Sequence, residues 1–186
     1  MRRKSGSAAG LMVALTVMAA TSQSADFSAW TYKLPLTFTG YGQADTLTNF
    51  PALVIFSTNI TGFSYSDFLS GTNADLRFAG SNQTDELNYE IGTWDTNGSS
   101  YVWVQVPALS GTNTPIYAYW GKSGATAPVS TTNGATWSAD YVSVFHFDET
   151  GGSTAYDACS NGHDGTLQGN ATRAAGCIAN GLDSAA

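Results

Sequence analysis

The chain has 186 residues, of which 42% are hydrophobic, 12% aromatic and 11% charged. That composition can build a hydrophobic core and so excludes a disordered chain, while the abundance of Gly, Ser, Thr and Asn argues against a helical bundle. The formal net charge is −7, although three of the seven basic residues stand at positions 2–4. Because the remaining surface is acidic and has no basic stripe, we expect no binding to nucleic acid.

Residues 1–25 have the organisation of a secretory signal peptide. A basic start leads into an apolar run over residues 11–20 and then into small and polar residues. The run is about half of the roughly 20 residues that span a bilayer, so a retained membrane helix is the weaker interpretation. Cleavage after Ser22 or Ser24 suits the preference for small residues better than cleavage after Ala25. The sequence therefore predicts an exported protein, in the periplasm, on the outer surface or secreted, with no membrane span after removal of the signal.

Short β-like segments separated by turn residues follow the signal. Residues 33–39 alternate apolar and polar side chains, and residues 50–56 are apolar on both faces, which is typical of a central strand. Val102, Val104 and Val106 share one face of the next clear strand, which we expect Pro107 to end. With no helical period between these segments, the sequence predicts an all-β protein, an antiparallel β-sandwich over residues 26–124.

A stretch rich in Ser, Thr, Gly and Asn, residues 125–138, is predicted to be a linker or surface loop that separates this domain from residues 139–186. A new strand is expected over residues 141–147. Cys159 and Cys177 form an even pair in a chain that we expect to be exported, which favours a disulfide; two free thiols are the alternative.

Ordered motifs over residues 28–122 resemble a domain of unknown function found in bacterial envelope proteins. In that family the domain often precedes a laminin-G-like, concanavalin A-like module, and some members are associated with MotA/TolQ/ExbB proton-channel proteins. The motifs are Trp30-x-Tyr32, Asn49-Phe50-Pro51-x-Leu53-Val54, Asp75-Leu76-Arg77-Phe78, Tyr89-Glu90-Ile91-x-x-Trp94-Asp95, Val102-Trp103-Val104-x-Val106-Pro107 and Ile116-Tyr117-x-Tyr119-Trp120-Gly121.

The remaining residues resemble the start of the laminin-G-like module itself. The motifs are Val144-Phe145-His146-Phe147-Asp148-Glu149, Asp157-x-x-Ser160-Asn161-Gly162-His163-Asp164-Gly165-Thr166 and Gly176-x-Ile178. The resemblance implies a truncated second jelly-roll sandwich over residues 139–186, so we expect the chain to be a fragment of a longer product. It also implies calcium as a cofactor, with Asp148, Asp157 and Asp164 as candidate ligands; turn formation by the Asn-Gly and Asp-Gly pairs is the alternative.

No pattern of catalytic residues stands out. Asp148 and Glu149 are adjacent and would point to opposite faces of a strand, so they do not make the paired carboxylates of a glycosidase. Glu90 and Asp95 lie at a strand end and a turn, where acidic residues are ordinary. His146 is interpreted as a strand histidine. We therefore predict a protein that is not an enzyme.

Aromatic side chains are the remaining candidates for binding. Trp120 shares a face with Ile116 and is predicted to be core. Tyr101 and Trp103 lie opposite the valine face, either packed against a second layer or exposed as a platform for a sugar ring.

The hypothesis is a non-catalytic recognition module of the cell envelope or exterior that binds glycan or an envelope protein. The alternatives are a periplasmic scaffold or sensor of a MotA/TolQ/ExbB-like transport protein and part of a carbohydrate-active enzyme. The warrant for each is analogy between folds.

Overall fold

The computed structural model describes residues 24–183, so nearly all of the predicted signal peptide lies outside the described residues. Two 3-10 turns, Tyr65–Asp67 and Val129–Thr131, accompany ten strands. None of the helical segments in this part of the chain is long and apolar enough to cross a membrane. The strands are β1 Tyr32–Thr37, β2 Thr46–Ser57, β3 Arg77–Ala79, β4 Tyr89–Thr93, β5 Ser99–Ser110, β6 Pro115–Trp120, β7 Thr154–Ala155, β8 Gly165–Thr166, β9 Thr172–Ala175 and β10 Asn180–Asp183.

Two three-stranded antiparallel sheets share one hydrophobic core, so the predicted all-β antiparallel fold is confirmed. One sheet has the order β1-β6-β3 and the other β2-β5-β4. Their facing side chains form a single cluster, because alternate residues of each strand point to the same side. Trp120 is fully buried there, as the face that it shares with Ile116 predicts. The fully buried members of the cluster are Phe56, Leu76, Phe78, Tyr89, Val102, Val104, Ala118 and Trp120.

Three predictions about strands are wrong. Residues 50–56 belong to β2, which lies at the edge of its sheet and not in the centre. Pro107 does not end β5, because β5 runs to Ser110 and pairs with β2 on both sides of the proline. Residues 141–147 form no strand; Phe145 makes only an isolated bridge with Asp157.

Asp75 joins the loops at one end of the sandwich. It is fully buried. Its carboxylate accepts four backbone N–H bonds of 2.9–3.3 Å, from Leu69, Ser70, Gly121 and Lys122. Such bonds satisfy a buried carboxylate that would otherwise be costly to desolvate. Gly121 has a φ of 84°, and a side chain there would meet the Tyr32 ring at 2.5 Å. Asp75 and Gly121 come from two of the motifs above, so those motifs meet in one structural junction.

Residues 154–183 contain two short hairpins, β7-β8 and β9-β10. Arg173 in β9 pairs with Glu149 at 2.6 Å, and both side chains are nearly buried. Arg173 also donates to the Thr154 carbonyl at 2.5 Å. These bonds connect β9 to β7 and to the segment before it. The second jelly-roll stays a prediction.

Candidate functional site

The outer face of the β2-β5-β4 sheet carries the residues on which the binding hypothesis depends. Tyr101, Trp103 and Gln105 alternate with the buried valines of β5 and therefore point away from the core. Trp103 has Leu53 of β2 on one side and Glu90 of β4 on the other. An aliphatic, an aromatic and an acidic side chain thus share one row across three strands.

Residues 133–146, here called the cover segment, pack on half of this face. The Asn88 amide donates to the Ala135 carbonyl at 3.1 Å, and the Gln105 amide donates to the Thr136 carbonyl at 3.1 Å. Trp137 is only 8% exposed, and its ring centroid lies 5.6 Å from that of Trp103. A stretch whose composition is typical of a linker is therefore bound to the sheet by specific hydrogen bonds and one buried indole.

The cover segment adds His146 to the same aromatic group. The imidazole of His146 stacks on Trp103 with centroids 6.1 Å apart and an interplanar angle of 19°. Trp103 is therefore packed under Trp137 and His146. Of the two predicted alternatives for this residue, packing against a second layer is the one observed, and Trp103 is not an open platform for a sugar ring.

Glu90 lies at the centre of these contacts. One carboxylate oxygen accepts the Trp137 indole N–H at 2.8 Å, and the other contacts Nε2 of His146 at 2.9 Å. Burial lowers the pKa of His146, but the hydrogen bond and charge of Glu90, with Asp148 and Glu149, outweigh it and raise that pKa above its usual 6.5. A charged imidazole opposite a carboxylate strengthens the bond between cover segment and sheet.

A polar pocket of about 230 Å³ lies beside Glu90 and is lined in part by Cys159 and Asp157. Cys159 is buried, and burial together with the neighbouring carboxylate of Asp157 raises the pKa of its thiol. A raised pKa leaves little of the thiolate that acts as a nucleophile.

The predicted disulfide between Cys159 and Cys177 is not present in the structure. Both thiols are free, and they lie in different surroundings. Cys159 is buried beside the backbone of Gly134, which approaches residues 158–160 closely, while Cys177 is exposed in the turn between β9 and β10.

The three candidate calcium ligands have different environments. The Asp157 carboxylate accepts the backbone N–H groups of Val144, Cys159 and His163, each at 2.9 Å. Burial raises the pKa of Asp157, but these bonds outweigh it and hold the pKa below its ordinary value. Asp164 accepts the N–H of Asp157 at 2.9 Å, so these two residues do come together. Asp148 contributes its backbone carbonyl to the Asn180 side chain.

Within residues 24–183, no group of three or more His, Cys, Asp or Glu side chains could hold a metal ion. The structure brings Asp157 and Asp164 together, with both carboxylates accepting backbone N–H groups, and the calcium site stays a prediction. It does not assemble all three carboxylates around one point.

The other end of the outer face is open. Ile55 is 49% exposed and lies directly opposite Tyr101 in the register of β2 and β5. Leu53 and Tyr101 are half-buried beside it. Of the two predicted binding residues, Tyr101 therefore stands on accessible apolar surface, whereas Trp103 lies beneath the cover segment.

Glu90 is the residue whose role sequence reasoning missed. Its two partners follow it by 47 and 56 positions, beyond any local pattern. One signal could have pointed to this role: Glu90 is a carboxylate on the outer face of a strand, opposite the tryptophan of the next strand.

These features define a class of protein: an antiparallel β-sandwich module in which one sheet is partly covered by the following segment. Residues 72–159 match the family model described as Domain of unknown function (DUF2341). This match supports the predicted domain of unknown function, whereas the links to MotA/TolQ/ExbB proteins and to a laminin-G-like module stay predictions. Neither the curated proteins nor the solved structures contain a match to this chain.

Proposed function

We propose that the chain is a non-catalytic recognition module that is exported from the cytoplasm and binds a protein through the open end of the outer face. The observation that carries the proposal is the apolar strip in which Ile55 is exposed between the half-buried Leu53 and Tyr101. Apolar residues next to an aromatic ring are typical of the centre of a protein interface, where charged residues are depleted.

The contacts of Glu90 and His146 support the absence of catalysis. Glu90 already holds the Trp137 indole and the His146 imidazole, so proton abstraction by either carboxylate oxygen would compete with a packed contact. A general base needs a free acceptor within hydrogen-bond reach of the proton that it abstracts. The pair serves to hold the cover segment.

The test is binding of the fluorescently labelled chain to intact cells of its source. Replacing Ile55 by Asp places a charge in the strip, and we expect affinity to fall at least about tenfold, because burying an isoleucine contributes about 1.5–3 kcal/mol. Val142→Asp is the matched control, since Val142 is 74% exposed and lies outside the strip.

Treatment of the cells before binding identifies the partner. We expect protease treatment to abolish binding and periodate oxidation of glycans to leave it. If binding were lost after periodate oxidation and not after protease treatment, the partner would be a glycan and not a protein. Equal binding by wild type and Ile55→Asp would refute the strip as the recognition surface.

A further inference from the structure

A second concave surface lies at the opposite end of β5. A pocket of about 200 Å³ separates the loop of residues 80–85 from the β5-β6 hairpin. Its floor consists of Leu87, Val106 and Ile116, each at most 4% exposed. Tyr101 and Pro107 are six residues apart on β5, so the pocket and the apolar strip are separated by roughly 20 Å of strand. The two surfaces can be tested independently.

Hydrogen bonds within the chain organise both walls of the pocket. In the loop, Gly80 N–H donates to the Asp85 carbonyl at 3.0 Å, and Oδ1 of Asn82 accepts the N–H groups of Thr84 and Asp85, each at 3.1 Å. In the hairpin, the Thr114 hydroxyl bonds to both backbone groups of Ser110. Because the walls are already ordered, a ligand would lose little affinity to the ordering of protein groups.

The polar groups that line the pocket match hydroxyl groups. Asn82 and Asp85 line the pocket, and within residues 24–183 no hydrogen bond engages the amide nitrogen of Asn82 or the carboxylate of Asp85. The first is a donor and the second an acceptor, and a hydroxyl both donates and accepts. No Lys or Arg lines the pocket, and the chain is acidic, so an anion is disfavoured.

The floor and the volume narrow the ligand further. Aliphatic side chains at the base offer no polar partner, so the lower face of the ligand must be built of C–H groups. The volume is below the range of roughly 300–1,000 Å³ that is typical of drug-sized ligands, which favours a single ring. We propose that this pocket binds one neutral, hydroxyl-rich ring, such as a single hexose residue of a glycan, with its hydroxyls on Asn82 and Asp85. The proposal concerns a ligand and a surface separate from those of the protein-binding strip.

The test is a titration of the ¹⁵N-labelled chain, in which NMR measures the amide chemical shifts. The ligands are four methyl hexopyranosides (gluco, galacto, manno and N-acetylgluco). We expect at least one sugar to give saturable shifts confined to residues 80–85 and 106–116. Asp85→Ala removes the acceptor, while Asn82→Asp removes the donor and keeps the oxygen that organises the loop. Each should weaken binding about tenfold, the effect of losing a hydrogen bond in a ligand site. Asp140→Ala, the same change at an exposed residue, should not.

Three results would overturn the proposal. The first is the absence of a saturable shift with any of the sugars at about 100 mM, a concentration far above a millimolar Kd. The second is a set of shifts centred on Ile55 and Tyr101, and the third is an unchanged affinity in both Asp85→Ala and Asn82→Asp. The amide spectra of the variants also report whether the fold is retained. The cell-binding assay of Ile55→Asp does not depend on these outcomes, so failure of one proposal is distinguishable from failure of the other.

Discussion

Replacement of Glu90 by Ala is the most direct test of how the cover segment is held. The change removes the acceptor of the Trp137 indole N–H, which is left buried without a partner, at a cost of about 1–3 kcal/mol. It also removes the contact with His146, which adds about 1 kcal/mol. We therefore expect the free energy of unfolding to fall by about 3 kcal/mol, or the Tm by about 10 °C for a chain of this size.

Urea unfolding followed by far-UV circular dichroism measures this change. Glu90→Gln is the matched variant, because the glutamine carbonyl oxygen keeps the hydrogen bond to Trp137 while the negative charge is removed. We expect the free energy of unfolding to fall by about 1 kcal/mol. Asp140 is exposed, and its side chain makes no hydrogen bond within residues 24–183, so Asp140→Ala should change the free energy by less than about 0.5 kcal/mol.

A double variant distinguishes the proposed contact from a general effect of truncation. Trp137→Phe removes the indole donor, so the penalty of an unpaired N–H disappears from the Glu90→Ala background. The loss of unfolding free energy in the double variant should be smaller than the sum of the two single-variant losses by about 1 kcal/mol or more. A Glu90→Ala loss below about 0.5 kcal/mol, or strict additivity with Trp137→Phe, would refute the role that we give to this carboxylate.

Three further predictions follow from single side chains. Asp75→Ala leaves four backbone N–H groups without their acceptor. The free energy of unfolding, measured by urea titration, should therefore fall by about 4 kcal/mol or more. A loss of only about 1 kcal/mol would contradict the role of Asp75 in joining the loops. Because the pKa of His146 is higher in the folded chain than its usual 6.5, its stabilising contribution is complete below about pH 6.5 and is lost as the pH rises through the folded value. The stability gap between wild type and His146→Gln should therefore narrow from pH 5.5 to 8.5, and a constant gap would argue against the pairing. In the native chain, a thiol reagent should label Cys177 rapidly and Cys159 only on unfolding; equal protection of both, reversed by a reductant, would restore the disulfide prediction.

The sequence predicted the features that depend on alternation within one strand. Val102, Val104 and Val106 point inward and Trp120 is buried, as the period of two requires. The Asp95–Gly98 turn also lies where its residue types place it, with the Asp95 carboxylate accepting the Asn97 N–H at 2.9 Å. Local patterns suffice in these cases, because the decisive contacts are made by neighbours in the chain.

Features that depend on distant segments were not predictable in this way. Residues 50–56 are apolar on both faces, yet β2 is an edge strand. Pro51 is buried on the outer side, next to Gln105, whose amide bonds to the cover segment. A later segment thus covers the outer face of β2 at Pro51, whereas Ile55 on the same face stays exposed. The same limit applies to Glu90 and Asp75, whose partners lie up to 56 positions away.

Residues 125–138 have the composition of a linker, whereas residues 133–146 pack on the outer face, and the family match continues past β6. Removal of the cover segment would expose Trp103 and leave the amides of Asn88 and Gln105, with the Glu90 carboxylate, facing solvent. The match ends at residue 159, beside the pocket in which Cys159 contacts the backbone of Gly134. The sheet, its cover and the turn that supports the cover therefore form one set of mutually dependent contacts. A segment with the composition of a linker can still pack on a sheet when a few groups, here the buried Trp137 and the half-buried His146, make specific contacts.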